Sequence, residues 1–253
     1  MMNSDYPKRH QIPQLRKLWK EAFGDSDVFL DAFFEYGFSP RRCRCMTERE
    51  TVVSALYWFE VTYRNQRFAY LYAVATAASC RGRGLFRTLL EDTKQVLADE
   101  GYDGILLVPE SEALRRMYEK LGFECCTTVD RLQISAAEKP AAVEEIGTET
   151  YAALRRQMLP EGGVLQEGEI LHFLASQYHF WTGADWLATG QIYDGKLVCQ
   201  EFLGNRDAAG GLVKALGANA GTFRVEGKTI PFAYFLPLGS DCERPAYFAL
   251  ALD

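Results

Sequence analysis

One stretch of this chain decides the fold: Val74-Ala75-Thr76-Ala77-Ala78-Ser79-Cys80-Arg81-Gly82-Arg83-Gly84-Leu85-Phe86. An extended apolar segment runs there into a glycine-rich basic turn that opens a helix. Glycines let a backbone approach phosphate oxygens closely, and the first amides of a helix have no partner inside it. The helix dipole adds partial positive charge at the same end. The pattern predicts a pyrophosphate cradle, to which Arg81, Arg83 and Arg87 add full charges.

The residues after this turn predict alternating helices and strands. Apolar side chains recur at three- and four-residue spacing as far as Gly101, which predicts a helix with one buried face. Residues 105–108 read as a short buried strand, and a second amphipathic helix ends at Gly122. Strand, helix, strand and helix in succession predict an open α/β sheet.

Two motifs in this region resemble those of the GNAT superfamily of N-acetyltransferases. The family's cofactor motif is Arg or Gln, two residues, Gly, one residue, and then Gly or Ala. Residues 81–86 match it except at Phe86, which is bulky but leaves Arg81 and Gly84 in place. Residues 114–123 are similar to the family's Tyr-Glu-Lys-Leu-Gly-Phe signature, with Tyr118 as its tyrosine. The resemblance covers about residues 50–130, and the helical start at 11–38 is similar to the family's opening pair of helices.

The loop by itself leaves a simple tight turn open as an alternative. It is not a Walker loop, because no Gly-Lys-Ser or Gly-Lys-Thr follows it. As a dinucleotide fingerprint it lacks the third glycine and a clear ribose-binding acid. The signature around Tyr118 is what favours a cofactor loop over a turn.

Composition limits the class of protein. A chain of 253 residues with 48% hydrophobic content suits one large domain or two ordinary ones. No run is as long as a membrane span and the N-terminus lacks the apolar stretch of a signal peptide, so we expect a soluble, cytoplasmic protein with no membrane partner. The seven cysteines are odd in number and form no Cys-x-x-Cys pair, which argues against a disulfide framework and a metal site. The net charge of −6, with its acidic excess after residue 135, argues against a nucleic-acid partner.

The chain reads as two domains joined by a linker. Strands are predicted at 42–46, 52–63, 68–74 and 124–134. Small, charged and proline residues at 136–145 have no sustained apolar face. We therefore predict a catalytic, acetyl-CoA-binding GNAT-like domain at 1–137, a linker at 138–147 and a second domain at 148–253.

The second half repeats the plan of the first in shorter form. Helices are predicted at 149–158, 169–178 and 208–216, the second of them carrying His172 and leading to His179 in a structural role. Strands are predicted at 185–193, 196–203, 222–225, 230–236 and 246–252. The turn at 204–207 stands where a phosphate loop would be, but it lacks the Arg-x-x-Gly pattern, and Asp207 would repel phosphate. We predict a mixed α/β chain: a GNAT-like acetyltransferase fold, then a degenerate GNAT-like copy without cofactor binding that shapes or covers the acceptor site. Convergent α/β architecture is the alternative.

The resemblance implies how acetyl-CoA would be held. The pantetheine arm would lie as a pseudo-strand along Val74, Ala75 and Thr76, where a backbone amide polarises the thioester carbonyl, and the pyrophosphate would sit on the amides of residues 81–86. The predicted cofactor-binding residues are Val74, Ala75, Thr76, Arg81, Gly82, Arg83, Gly84, Leu85, Phe86 and Arg87.

Acyl transfer from a thioester to an amine also needs an acid for the departing thiolate and a route for the ammonium proton. Tyr118 matches the family's tyrosine, and a phenol with a pKa of about 10 can protonate a thiolate; a packed core tyrosine is the alternative. Glu60 and Glu110 are candidate bases, each with a solvated surface carboxylate as the alternative, and a relay through bulk water would also serve a weakly basic amine.

These residues predict an acetyl-CoA-dependent N-acetyltransferase that acts directly on a primary amine of a small-molecule or peptide acceptor. Two alternatives stay open: a non-catalytic acyl-CoA-binding sensor or interaction module, and an aminoacyl-transferase of the tandem-GNAT type. The sequence leaves the acceptor and the oligomeric state open.

Overall fold

The structure is a computed structural model that describes residues 4–252 and divides into two units. The first unit contains Met1–Leu107 and Leu236–Glu243, and the second contains Val108–Phe235 and Arg244–Asp253. Two of the predicted domain limits, residues 1 and 253, lie outside the described residues. The predicted boundary at residue 137 falls within the second unit. Because contacts within a chain do not mark where one evolutionary domain gives way to the next, that boundary stays a prediction.

The first unit is built on a mixed sheet. Its strands, in sheet order, are β1 (Ser4–Asp5), β2 (Cys43–Glu48), β3 (Thr51–Tyr63), β4 (Gln66–Thr76) and β5 (Gly104–Leu107). β4 and β5 run parallel, whereas the other neighbours run antiparallel. The strands predicted at 42–46, 52–63 and 68–74 are thereby confirmed as β2, β3 and β4.

Three helices belong to this unit: α1 (Ile12–Phe23), α2 (Asp27–Ala32) and α3 (Leu85–Asp99). α1 ends at Gly24, which adopts the left-handed conformation, with φ +75° and ψ +10°. α2 is capped by Ser26, whose hydroxyl accepts a hydrogen bond from the amide of Phe29 at 3.2 Å. A π-helical turn at Phe33–Gly37 follows. The helical start predicted at 11–38 is therefore present.

The core of the first unit lies between these helices and the central strands. The Trp19 ring of α1 packs against Phe33 at 4.4 Å, Tyr57 of β3 at 5.2 Å and Tyr72 of β4 at 5.6 Å, measured between ring centroids. α3 buries the side chains that its apolar spacing predicted, and these are Leu85, Leu89, Leu90, Thr93 and Leu97. Phe86 is half-buried.

The second unit contains four helices. Nine further strands follow β5, and all but the last of them lie wholly in this unit. The helices are α4 (Glu112–Glu119), α5 (Thr148–Met158), α6 (Glu169–Ala175) and α7 (Ala209–Ala215). The strands are β6 (Glu124–Cys125), β7 (Thr128–Ser135), β8 (Glu144–Glu145), β9 (His179–Thr182), β10 (Trp186–Tyr193), β11 (Lys196–Gly204), β12 (Ala220–Glu226), β13 (Ile230–Pro231) and β14 (Tyr234–Pro237). A seven-stranded sheet has the order β13-β7-β12-β11-β10-β9-β8, and β6 pairs with β14.

The two units share one order of elements. In the first, the β3–β4 hairpin leads through α3 to β5, which is parallel to β4. In the second, the β10–β11 hairpin leads through α7 to β12, which is parallel to β11. Each hairpin also contains a register shift, between Ala55 and Tyr57 in one and between Thr189 and Gly190 in the other. The predicted repeat of a mixed α/β plan is confirmed.

Three predictions about the second half are wrong. Residues 246–252 do not form a strand in a sheet; within residues 4–252 they contribute one isolated bridge, from Tyr247 to Gly163, because donors from loops and side chains take their carbonyls. The strand predicted at 230–236 is split into β13 and β14, because the chain passes there from pairing with β7 to pairing with β6. The helix predicted at 169–178 ends at Ala175, so His179 lies in β9 and does not share a helix with His172.

The segment predicted as a linker contacts the rest of the second unit at several points, although most of its residues are exposed. The amide of Ala137 donates to the carbonyl of Gly210 at 2.9 Å, and the amide of Ala141 donates to that of Gly211 at 3.0 Å. Residues 144–145 form β8, which pairs with β9. These contacts fasten the segment to α7 and to the edge of the second sheet.

Candidate active site

The strands β4 and β5 separate close to the glycine-rich turn. Their parallel pairing runs from Phe68 to Tyr70, whose partner is Leu106, and β4 continues to Thr76. A bulge lies in this continuing part: Ala73 has φ +53°, and the register of β4 against β3 shifts at this point. A bulge redirects the backbone of its strand. The predicted pantetheine residues, Val74–Thr76, therefore lie on a strand edge that has separated from β5.

The end of β4 is fixed from the β3 side. The Ser54 hydroxyl donates to the carbonyl of Ala75 at 3.0 Å and lies 2.8 Å from the hydroxyl of Thr76. One residue later, the amide of Ala77 donates to the carbonyl of Val53 at 2.9 Å. These bonds hold the strand edge in place up to the start of the turn.

The glycine-rich turn lies over open space. Gly82 and Gly84 both have φ +75°, a conformation that favours glycine, and a methyl group at either position would meet no atom within 4 Å. Residues 81–84 are exposed. The loop therefore has the conformation and the room that a ligand's phosphates need.

The start of α3 differs from the starts of α2 and α4. α3 begins at Gly84 with no side-chain cap and no acidic residue in its first turn. α2 and α4 are each capped by a serine, Ser26 and Ser111, and each carries an acidic residue in the first turn. A capping oxygen and a nearby carboxylate satisfy the amides and the dipole of a helix start. The start of α3 therefore has neither a capping side chain nor a carboxylate in its first turn, as is also the case for α1 and α7.

Two of the three loop arginines have protein partners. Nε of Arg81 donates to the carbonyl of Thr76 at 3.1 Å, which ties the turn to the end of β4. Arg83 makes a bidentate ion pair with Glu48, at 2.7 and 3.1 Å, and this hydrogen bonding lowers the pKa of the Glu48 carboxyl. Arg87 is exposed in the first turn of α3. The sequence predicted all three charges for phosphate and missed Glu48, because nothing in the local pattern places the end of β2 beside the loop.

Tyr118 lies in α4 and is 7% exposed. Burial raises its pKa to about 12, so the phenol holds its proton at neutral pH. Its ring meets that of Phe123 edge-on, with centroids 5.5 Å apart, and both residues belong to the predicted signature. A neutral phenol can donate a proton, and a packed core tyrosine is buried in the same way, so the catalytic role stays a prediction.

The two candidate bases have different surroundings. Glu60 in β3 accepts hydrogen bonds from Arg67 at 2.7 Å and from the hydroxyl of Tyr102 at 3.1 Å. The hydrogen bond from Arg67 is the main cause that lowers the pKa of Glu60, which makes its carboxylate a weaker base. Glu110 is exposed in the loop before α4, in the second unit together with Tyr118. Sequence reasoning missed Arg67, the partner that weakens Glu60.

Comparison with known proteins decides the family. A family model of the acetyltransferase (GNAT) domain matches residues 5–126. Residues 5–126 belong to the GNAT acetyltransferase family. This match contains the separated strands, the glycine-rich turn, α3 and Tyr118. Acyl transfer is the chemistry of the family. A search of curated proteins gives no match.

Solved structures extend the similarity over both halves of the chain. A GCN5-related N-acetyltransferase from Kribbella flavida is 15% identical, with a TM-score of 0.71 over 93% of this chain and 70% of that one. One from Anabaena variabilis is 13% identical, with a TM-score of 0.73 over 94% and 73%. A tandem GNAT protein from the clavulanic acid biosynthesis pathway is 10% identical, with a TM-score of 0.59 over 95% and 100%. At these identities the structures show a shared fold, which includes the two-part GNAT arrangement.

The loop of the second half has its own internal partners. The side-chain oxygen of Asn205 accepts from the amide of Asp207 at 3.1 Å, and its amide nitrogen donates to the Asp185 carboxylate at 3.0 Å. Arg206 donates to the carbonyl of Glu226 at 2.7 Å. The turn at 204–207 is therefore held by hydrogen bonds from its own side chains, although its residues are exposed.

The helix after that loop is also covered. A methyl group on Gly211, near the start of α7, would lie 2.9 Å from both the amide nitrogen and the Cβ of Ala141. Residues 137–141 thus occupy the surface of α7 near its start. The predicted loss of cofactor binding by the second half stays a prediction.

Membrane-spanning helices and metal-binding clusters are both absent from residues 4–252. None of the helices combines the length and the apolar character that a membrane crossing requires. Within the same range, no group of three or more His, Cys, Asp and Glu side chains is arranged to hold a metal ion.

Proposed function

We propose that this chain is an acetyl-CoA-dependent N-acetyltransferase, which moves an acetyl group directly from acetyl-CoA to a primary amine of a small-molecule or peptide acceptor. One observation carries the proposal. The uncapped start of α3 lies behind two left-handed glycines, Gly82 and Gly84, that face open space at the end of a strand already separated from its neighbour.

The residues at this place fit coenzyme A. The backbone amides of residues 82–86 and the positive end of the α3 dipole would hold the diphosphate, with the exposed Arg87 as an added charge. Val74, Ala75 and Thr76 lie on the free edge of β4, where an extended pantetheine arm can pair with backbone groups. Arg81 holds the turn to the end of β4 through its hydrogen bond to Thr76. When a phosphate binds, the Arg83 guanidinium would either leave the Glu48 carboxylate or contact both that carboxylate and the phosphate. Acetyl-CoA supplies the thioester as a substrate.

The chain's own groups provide the remaining steps. A backbone amide at residues 74–76 would polarise the thioester carbonyl while the amine nitrogen attacks its carbon. The C–N bond forms, the C–S bond breaks, and Tyr118 would give its proton to the thiolate sulfur. The ammonium group of the acceptor gives one proton to water or to a carboxylate before its nitrogen attacks, and the nitrogen loses a second proton to solvent after the C–N bond forms, while solvent returns a proton to Tyr118. Glu110 is the better candidate for that carboxylate, because Glu60 is already paired with Arg67.

Calorimetry with acetyl-CoA tests the binding part of the proposal. Gly84→Asp places a carboxylate in the cradle, and Arg83→Asp places one beside it; each should abolish binding, because a negative charge there repels the diphosphate. Gly24→Asp is the matched control, since Gly24 has the same φ of +75° and also meets no atom within 4 Å. Unchanged affinity in the Gly84 and Arg83 variants would mean that the cradle is misplaced.

Release of free thiol from acetyl-CoA, measured across a panel of amines, tests the catalytic part. Thiol release with any amine supports the transferase. Tight binding of acetyl-CoA with no turnover on any amine would replace the proposal with a non-catalytic acyl-CoA sensor. Turnover confined to aminoacyl-tRNA would indicate the aminoacyl-transferase type, which the acidic excess of the second half does not favour.

A further inference from the structure

The last part of the chain is deeply buried without being a strand. Tyr247 is 1% exposed, and residues 248–251 are fully buried. The amides of Ala246 and Tyr247 both donate to the carbonyl of Gly162, at 2.9 and 3.0 Å. We call residues 246–251 the C-terminal segment. Because the segment is not a strand of a sheet, other groups must satisfy its buried backbone amides and carbonyls.

Donors from three different parts of the second unit take its carbonyls. The Val164 amide donates to the carbonyl of Tyr247 at 3.0 Å, and the Thr127 hydroxyl donates to that of Phe248 at 3.4 Å. Arg224 Nη1 donates to the carbonyl of Ala249 at 3.0 Å, and Gln166 Nε2 donates to that of Leu250 at 2.6 Å. Four consecutive carbonyls are thus satisfied one by one, three of them by side chains. The segment is therefore recognised through its main-chain carbonyls.

A buried ion pair organises the donors. Arg155 and Glu201 are 1% and 0% exposed and are joined by two hydrogen bonds, at 2.6 and 3.0 Å. Arg155 also donates to the carbonyl of Val164 and to the side-chain oxygen of Gln166, so it positions two of the residues that bind the C-terminal segment. The hydroxyl of Tyr247 donates to Glu201 at 3.1 Å. The C-terminal segment therefore donates a hydrogen bond to the same ion pair that positions Val164 and Gln166, which bind the segment.

The groove has a defined place in the fold. β11 and β12 pair in parallel as far as Cys199 and Phe223, and then separate. Just beyond that point, Glu201 of β11 and Arg224 of β12 form hydrogen bonds with the C-terminal segment. In the first unit, β4 and β5 separate in the same way after Tyr70. The C-terminal segment thus contacts the second GNAT-like half at the separated strands that correspond to the proposed pantetheine edge of the first.

The geometry points to a peptide-binding groove in the second half, in which the chain's own residues 246–251 are bound as an intramolecular ligand at the place equivalent to an acyl-CoA arm. The ligand class is a short peptide with a tyrosine followed by small and apolar residues. The groove and its occupant lie wholly within the second unit. The comparison with an acyl-CoA arm rests on the proposed function, but the binding of the peptide does not.

Cutting the chain before the segment tests this inference. Residues 239–241 are exposed, and a methyl group added at Gly239 would meet no atom within 4 Å. A specific protease site inserted at Gly239 allows the folded, full-length protein to be cut there. Gel filtration under native conditions should show that the released C-terminal fragment stays with the rest of the chain and separates in denaturant. Loss of the fragment under native conditions would overturn the inference, whether or not the remainder stays folded.

Exchange with a synthetic peptide tests the recognition itself. A fluorescent peptide of residues 244–252 should displace the fragment from the cut protein and raise its own anisotropy. The Tyr247→Phe peptide should bind about tenfold more weakly, because it loses a hydrogen bond to a charged group. A scrambled peptide of the same composition is the control. Equal binding of the native and scrambled peptides would contradict a groove that reads an ordered segment. The result does not depend on acetyl-CoA, so the peptide groove and the acetyltransferase can fail separately.

Discussion

Replacing Gly84 by Ala separates the strain of the backbone from the binding of a ligand. Gly84 and Gly24 are a matched pair: both have φ +75°, their ψ values are 9° and 10°, and a methyl group at either meets no atom within 4 Å. Gly24 ends α1, whereas Gly84 begins α3 at the proposed cradle. The two substitutions therefore impose the same conformation on alanine in two different places.

The expected sizes follow from these observations. The left-handed conformation costs an alanine about 1–2 kcal/mol, so both variants should lose that amount of free energy of unfolding. Gly84→Ala also puts a methyl group where the diphosphate is proposed to approach the amides. Losing one hydrogen bond to a charged group costs about 1.5–3 kcal/mol, which corresponds to roughly a tenfold to hundredfold rise in the Kd for acetyl-CoA. Gly24→Ala should leave that Kd unchanged.

Urea denaturation and calorimetry with acetyl-CoA measure the two quantities on the same samples. The prediction is an equal loss of stability in both variants and a loss of affinity in Gly84→Ala alone. Equal affinities for both variants would refute the reasoning, because the open space at Gly84 would then not be where the phosphates bind. A much larger loss of stability at Gly84 would refute the assumption of equal strain.

Three further predictions concern buried or paired side chains. Tyr118→Phe removes the proposed proton donor but keeps the ring, so kcat should fall about tenfold or more while the Kd for acetyl-CoA from calorimetry is unchanged; an unaltered kcat would exclude Tyr118 from the mechanism. The pKa of Glu60 is lowered chiefly by Arg67, so its stabilising effect is present above the unfolded pKa and is lost as the pH falls through the folded pKa. Glu60→Gln should therefore reduce the decline of Tm between about pH 5 and pH 2, and an identical decline would count against this pairing. Glu201→Gln leaves Arg155 charged and buried without its counter-charge, so the free energy of unfolding from urea titration should fall by about 3–5 kcal/mol, and a loss below about 1 kcal/mol would contradict a structural role for the pair.

Local patterns were sufficient for the conformation of the glycine-rich turn and for the helix after it. The spacing of apolar residues predicted the buried face of α3, and the glycines at 82 and 84 predicted a backbone that only glycine adopts easily. Both features depend on neighbours within one or two turns of the chain. For the same reason, the strands at 52–63, 68–74, 185–193 and 196–203 were predicted close to their observed bounds.

Features that depend on distant residues were missed. Glu48 lies 35 residues before Arg83, and its position beside the loop is set by the sheet. Arg67 pairs with Glu60 across the β3–β4 hairpin, and no pattern in the sequence marks that pair as an obstacle to catalysis. Residues 246–252 read as a strand because they are apolar, but a strand also needs a backbone partner. That partner was replaced by side chains such as Arg224 and Gln166, which come from other elements.

The central claim is that the turn at 81–87 holds the diphosphate of coenzyme A, and a crystal structure of the chain with acetyl-CoA tests it most directly. The account predicts diphosphate oxygens within about 3 Å of backbone amide nitrogens of residues 82–86, with the pantetheine arm along the free edge of β4. Acetyl-CoA bound at any other place, with the start of α3 left without a ligand, would contradict it.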